Sequence, residues 1–149
     1  MLSTMMDVPL TIRHILWRLE KLYPQKQLIT QRADDIPYRS NYGSLVRRVG
    51  RLASALSKYG IKQGDRVATF AWNNQRHLEC YFAIPCMGAV LHTVNVRLFA
   101  EHLEYIINHA EDRVIFCDRS VLPALEKVAD KIPTVGLVVL MNDGNESSG

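Results

Sequence analysis

Three features of the sequence predict an α/β fold with a predominantly parallel sheet and helices on both faces. Four short runs, near 66–71, 89–94, 113–117 and 135–140, read as strands: "RVATFAW", "AVLHTV", "RVIFC" and "VGLVVLM". They are close to continuously apolar rather than alternating, the pattern of strands covered on both sides. Stretches of helical period separate them, as the crossovers between parallel strands require.

The chain opens with "LTIRHILWRLEKLY", which places Ile12, Ile15, Leu16, Leu19, Leu22 and Tyr23 on one stripe before Pro24 ends the helix. Its other face is basic, with Arg13, Arg18 and Lys21. Docking on the protein's own sheet and contact with a membrane surface both fit such a helix. "QLIT" reads as a short strand and "ADDIPYR" as a turn.

Asn41 is placed to cap a helix carrying Leu45, Val46, Val49, Leu52, Ala53 and Leu56, which Gly60 stops. "KQGD" is a turn into the first long strand. The next helix runs from near Asn74 to Gly88, and its second half is apolar all round, so it should be buried on more than one side. Pro85 removes a backbone donor there and is expected to bend it. Later helices carry Leu103, Ile106, Ile107 and Ala110, then Val121, Leu122, Leu125, Val128, Ala129 and Ile132.

A chain of 149 residues suits one ordinary domain. Its 48% apolar and 22% charged residues are those of a globular protein. A net charge of +3, with basic residues scattered among acids, gives no case for nucleic acid. No apolar run approaches the roughly 20 residues of a membrane span. Cys80, Cys86 and Cys117 make an odd count without a basic-then-apolar leader, so reduced thiols and a cytoplasmic setting are expected.

Ligands of an open parallel sheet gather beyond the C-terminal strand ends. Those ends place Trp72, Asn73, Asn95, Arg97 and Asp118 as the candidate ligand contacts. Capping of the following helix is the competing role for Asn73 and Asp118. Arg97 suits a phosphate or carboxylate, or a surface ion pair. The five His residues show no zinc-pair spacing, and Cys80 and Cys86 lie six apart. His92, mid-strand, reads as a satisfied core imidazole. Neither a nucleophile elbow nor a Gly-rich phosphate loop is found, so the residues by themselves describe an α/β module without a visible catalytic centre.

Three segments carry a resemblance: "NYGSL" with its helix and "GIKQGDRVA", then "GAVLHTVNVRL", then "YIINHAEDRVIFCD". Residues 8–141 resemble the N-terminal region of the adenylate-forming acyl-CoA synthetases, nearest the bacterial medium- and long-chain fatty-acyl-CoA ligase branch that includes methylthiopropionyl-CoA ligases. The resemblance implies that 1–141 is part of the large N-terminal domain of that fold, with 142–149 a polar tail. It implies ATP, Mg²⁺ and CoA as cofactors and co-substrates, and a fatty or other carboxylic acid as substrate. A homodimer is compatible with it.

In that family the phosphate loop with its Lys, the ribose-binding Asp, the acidic Mg²⁺ residue and the catalytic Lys all follow this region. The chain therefore resembles the first portion of such an enzyme and is expected to be inactive alone. The resemblance puts Asn95 and Arg97 on the CoA side of the cleft and makes Trp72 and Asn73 its wall. It assigns this chain no catalytic residue and no metal ligand. Two departures stand out: Val96 replaces the usual Pro of Asn-Pro-Arg, and Ser44 replaces a Glu near a helix start. A stand-alone flavodoxin-like binding module is the reading from another class.

Overall fold

The computed structural model describes residues 7–31 and 36–142. Helix α1 (Ile12–Leu22) leads into a hairpin of β1 (Gln27–Thr30) and β2 (Tyr38–Asn41), paired antiparallel with Gln27 opposite Asn41. The long helix α2 (Tyr42–Tyr59) follows. Then β3 (Arg66–Phe70), α3 (Gln75–Cys86), β4 (Val90–Thr93), α4 (Ala100–Ala110), β5 (Val114–Asp118), α5 (Leu122–Glu126) and β6 (Leu137–Met141) alternate. The four long-predicted strands form a fully parallel sheet in the order β4-β3-β5-β6.

Alternation along β3 and β5 sorts the core into two sides. Val67, Val114 and Phe116 face Leu56 of α2 and Cys80 and Ile84 of α3. Ala68, Phe70, Ile115 and Cys117 face Leu103 and Ile107 of α4, with Leu125, Val128 and Ile132 beside them. Helices thus cover both faces. Helix α3 also turns Phe82 and Ala83 toward Leu45 and Val49 of α2 and Ile12, Leu16 and Leu19 of α1. Its all-round apolarity has this cause: it is the shared wall between the sheet and an outer helix pair.

The local signals explain where elements stop. Asn41 Oδ1 accepts the Ser44 N–H at 2.8 Å, capping α2. Gly60 closes α2 at φ 100°, where its N–H reaches the Leu56 and Ser57 carbonyls. Pro85 lies one residue before the end of α3, where it cannot donate to the Tyr81 carbonyl, while the Met87 N–H still reaches Ala83 and completes the last turn.

Several expectations are corrected. The cap of α3 is Asn74, whose side chain accepts from Arg76 and His77 N–H groups, rather than Asn73. The turn expected across "ADDIPYR" gives way at Tyr38 to β2, which "YRSN" does not signal because it has no apolar run and its partner β1 supplies the pairing. The helix expected across Val121–Ile132 is split: α5 is five residues long, between 3₁₀ turns at Arg119–Val121 and Ala129–Lys131. The Val128 N–H reaches the Leu125 carbonyl and Lys131 N–H reaches Val128, a tighter winding that still points Leu125, Val128 and Ile132 inward. On α1, Ile15, Leu22 and Tyr23 leave the stripe and are exposed. β4 and β6 are sheet edges among the described residues, so Val90, Val138 and Leu140 are exposed where continuous burial was expected. Of the expected polar tail at 142–149, residues 143–149 lie outside the described residues.

Candidate functional site at the strand ends

The parallel order puts the C-terminal ends of β3 and β4 side by side, and the Val94 N–H extends their ladder to the Thr69 carbonyl at 2.8 Å. The two following turns enclose an open cleft of about 320 Å³ lined by Ala71, Trp72, Asn73, Val94, Asn95, Val96 and Arg97. Four of the five residues expected at the strand ends, Trp72, Asn73, Asn95 and Arg97, are therefore brought together, and Asp118 lies outside the lining. They belong to segments that lie more than twenty residues apart in sequence and meet only because β3 and β4 are neighbours.

Each lining residue has a physical reason for its place. Asn95 Oδ1 accepts the Arg97 N–H at 2.9 Å, and the Leu98 N–H returns to the Asn95 carbonyl at 3.3 Å. That Asx-type turn holds the loop where Val96 lacks the fixed φ of Pro. The Arg97 side chain is exposed, and among the described residues no carboxylate pairs with its guanidinium. The surface ion pair weighed for it does not form there. A free guanidinium beside a strand end is a receptor for phosphate or carboxylate oxygens.

Trp72 is 47% exposed, yet its one polar atom is used: Nε1 donates to Ser120 Oγ at 3.0 Å. The indole is thereby pinned across the β5 end, leaving an apolar ring face for the cleft. Asp118 holds that anchor. Its Oδ1 accepts from Ser120 N–H at 3.2 Å and from Ser120 Oγ at 3.0 Å. Its Oδ2 accepts from Asn74 Nδ2 at 3.4 Å. Asp118 is thus the cap that the sequence allowed it to be, and it belongs to the support of the cleft, outside its lining.

Sequence reasoning missed His77. It is 5% exposed, with Nδ1 3.2 Å from the Trp72 carbonyl and Nε2 2.8 Å from Thr69 Oγ1. A carbonyl only accepts, so Nδ1 carries the proton and Nε2 accepts from the Thr69 hydroxyl. Burial holds its pKa below the ordinary imidazole value, and the Trp72 carbonyl opposes this more weakly. A neutral His77 therefore fixes the backbone just before Asn73. His92, opposite Ala68 within the sheet, pairs with the fully buried Asp112, Nδ1 to Oδ2 at 2.7 Å, and neither residue lines the cleft. That is the satisfied imidazole expected of it.

The arrangement offers one cation, one aromatic face and two exposed amides. It can bind an anionic, partly apolar ligand edge. Among the described residues no group of three or more His, Cys, Asp or Glu could hold a metal ion. The three thiols are free; burial pushes Cys80 up to about 12 and Cys117 up to about 11, far from thiolate chemistry.

Residues 18–149 match the family model described as AMP-binding enzyme. The chain belongs to that family. This AMP-binding-family chain is 41% identical over 148 residues to a 3-methylmercaptopropionyl-CoA ligase of Ruegeria lacuscaerulensis, covering 99% of the chain and 28% of the relative. It is 41% identical over 141 residues to a long-chain-fatty-acid–CoA ligase of Thermus thermophilus, covering 95% and 26%. The chain thus spans about a quarter of the length of these relatives. In fold it is similar to an anthranilate-CoA ligase solved with anthranoyl-AMP, at TM-score 0.82 and 21% identity over 91% of the chain and 26% of that structure. A Mycobacterium tuberculosis fatty acyl CoA synthetase gives TM-score 0.79 at 24% identity, over 88% and 26%.

Proposed function

We propose that this AMP-binding-family chain is the N-terminal part of the large domain of an ATP-dependent acyl-CoA ligase acting on a fatty or similar carboxylic acid. The observation that carries the reading is the 41% identity to CoA ligases along nearly the whole chain. In the reaction, a carboxylate oxygen attacks the α-phosphorus of ATP and pyrophosphate leaves. The CoA sulfur then attacks the carbonyl carbon of the acyl-adenylate and AMP leaves. Adenylation supplies a good leaving group, and the second step needs an open path for the thiol.

In this reading the chain contributes binding and positioning, and the reacting atoms are handled elsewhere. ATP and Mg²⁺ are assigned no contact in it. Trp72 and Asn73 form a wall, and the Asn95–Arg97 turn receives CoA. The support is geometric: the four side chains line one cleft, and the guanidinium has no described carboxylate partner.

The test is ATP–pyrophosphate exchange with carboxylic acids of several lengths. The 149-residue chain alone should show none, whereas a chimera with this chain in place of the matching quarter of the Thermus ligase should show it. Robust exchange by the chain alone, or a soluble, folded chimera with no exchange, would overturn the reading.

A further inference from the structure

The cleft is lined from the turns after β3 and β4, and the neighbouring end of β5 sends no residue into its lining. β5 acts on the cleft instead through the bond from Trp72 Nε1 to Ser120 Oγ at 3.0 Å, which spans 48 residues of sequence. The chemistry of the partners fixes the direction of each bond. An indole nitrogen only donates, and an ionised carboxylate only accepts. The single hydroxyl proton of Ser120 therefore goes to Asp118 Oδ1 at 3.0 Å, and an oxygen lone pair is left for Trp72.

The fold makes little use of this hydroxyl. The 3₁₀ turn Arg119–Val121 is capped by the Asp118 side chain, which accepts the Ser120 N–H. Trp72 and Ser120 are both exposed, so water takes over the partners of a lost bond at small cost to stability. The Trp72 backbone is held separately, its carbonyl by His77 Nδ1 at 3.2 Å. What the Ser120 bond adds is the orientation of the indole ring.

We infer that Ser120 is a positioning residue for the CoA half-reaction: from outside the cleft it holds the Trp72 indole in the one orientation that serves as its wall. The inference rests on the ligase reading and deepens it. An indole side chain has three staggered χ1 wells and about two χ2 orientations, so about six conformers compete once the bond is gone. A ligand that requires one of them binds more weakly by the fraction lost, which sets a ceiling of about sixfold. Removal of the indole itself has no such ceiling.

The test has two arms. In the 149-residue chain carrying Trp17→Phe, Trp72 is the sole tryptophan. Ser120→Ala should add a fast component to its fluorescence anisotropy decay. Ser120→Thr keeps a hydroxyl that donates and accepts, and should leave the decay of the parent. In a ligase that contains this segment, Ser120→Ala should raise KM for CoA about two- to sixfold, with kcat and pyrophosphate exchange near the parent values. Ser120→Thr should return KM to that of the parent. An unchanged decay, an unchanged KM, or equal losses in both half-reactions that Thr does not rescue would overturn the inference. A parent ligase without pyrophosphate exchange would sink the ligase reading and this inference with it. A parent that exchanges normally, with KM for CoA unmoved by Ser120→Ala, would sink this inference alone.

Discussion

Arg48 Nε donates to Glu79 Oε1 at 2.5 Å, tying α2 to α3 across 31 residues of sequence. The two partners are unequally buried, with the Glu79 side chain 9% exposed and that of Arg48 47% exposed. The Glu79 bond is the main reason that the guanidinium pKa is raised.

This inequality predicts an asymmetry. Arg48→Met strands a nearly buried carboxylate and should cost about 3–5 kcal/mol, the range for breaking a buried pair. Glu79→Gln keeps an acceptor and leaves a half-exposed guanidinium in water, so about 1–2 kcal/mol is expected. Urea unfolding of both variants measures the two. Equal losses would mean that the pair acts as an exposed one.

His77 predicts a pH dependence. Its folded pKa lies below its unfolded value, so the unfolded chain takes up the proton first. Its contribution to stability is complete above the ordinary imidazole range near 6.5 and is lost as pH falls through that range toward the folded pKa. Asp112 is shifted upward by burial and acts in the opposite sense at acid pH, so the measurement is a difference. The urea midpoint of the parent should fall between pH 7.5 and 5.5 by more than that of His77→Gln. Parallel falls would remove His77 from the cause.

The thiols should divide by burial. Cys80 and Cys117 are buried, and Cys86 is partly exposed beside the groove between α1 and α2. A disulfide-exchange reagent should titrate one thiol in the native chain at neutral pH and all three in denaturant. Cys86→Ser should abolish the native reaction. Native titration of Cys80 would place the opening of α3, and that of Cys117 the opening of the β5 layer, within easy reach of the folded state.

Arg97→Ala, in a ligase that contains this segment, should raise KM for CoA by roughly 10-fold or more, from loss of a hydrogen bond to a charged group worth about 1.5–3 kcal/mol. The adenylation half-reaction, followed by pyrophosphate exchange, should stay near the parent rate. Equal losses in both half-reactions would assign Arg97 to holding the turn.

The sequence by itself determined what repeats over short distances. Helical and strand periods marked α2, α3, α4 and the four parallel strands, and Asn41 and Gly60 marked the ends of α2. Those signals are local because a cap or an amphipathic stripe needs only the next turn of chain to act. The strand-end rule also located Trp72, Asn73, Asn95 and Arg97 before any neighbour was known. Tertiary structure decided the rest. That β4 is an edge, that β2 exists, that the Trp72 indole is held by Ser120 and its backbone by His77, and that Arg97 keeps its charge unpaired among the described residues all depend on which strands lie side by side. Strand order is set by long-range packing, and neither a period nor a cap carries information about it.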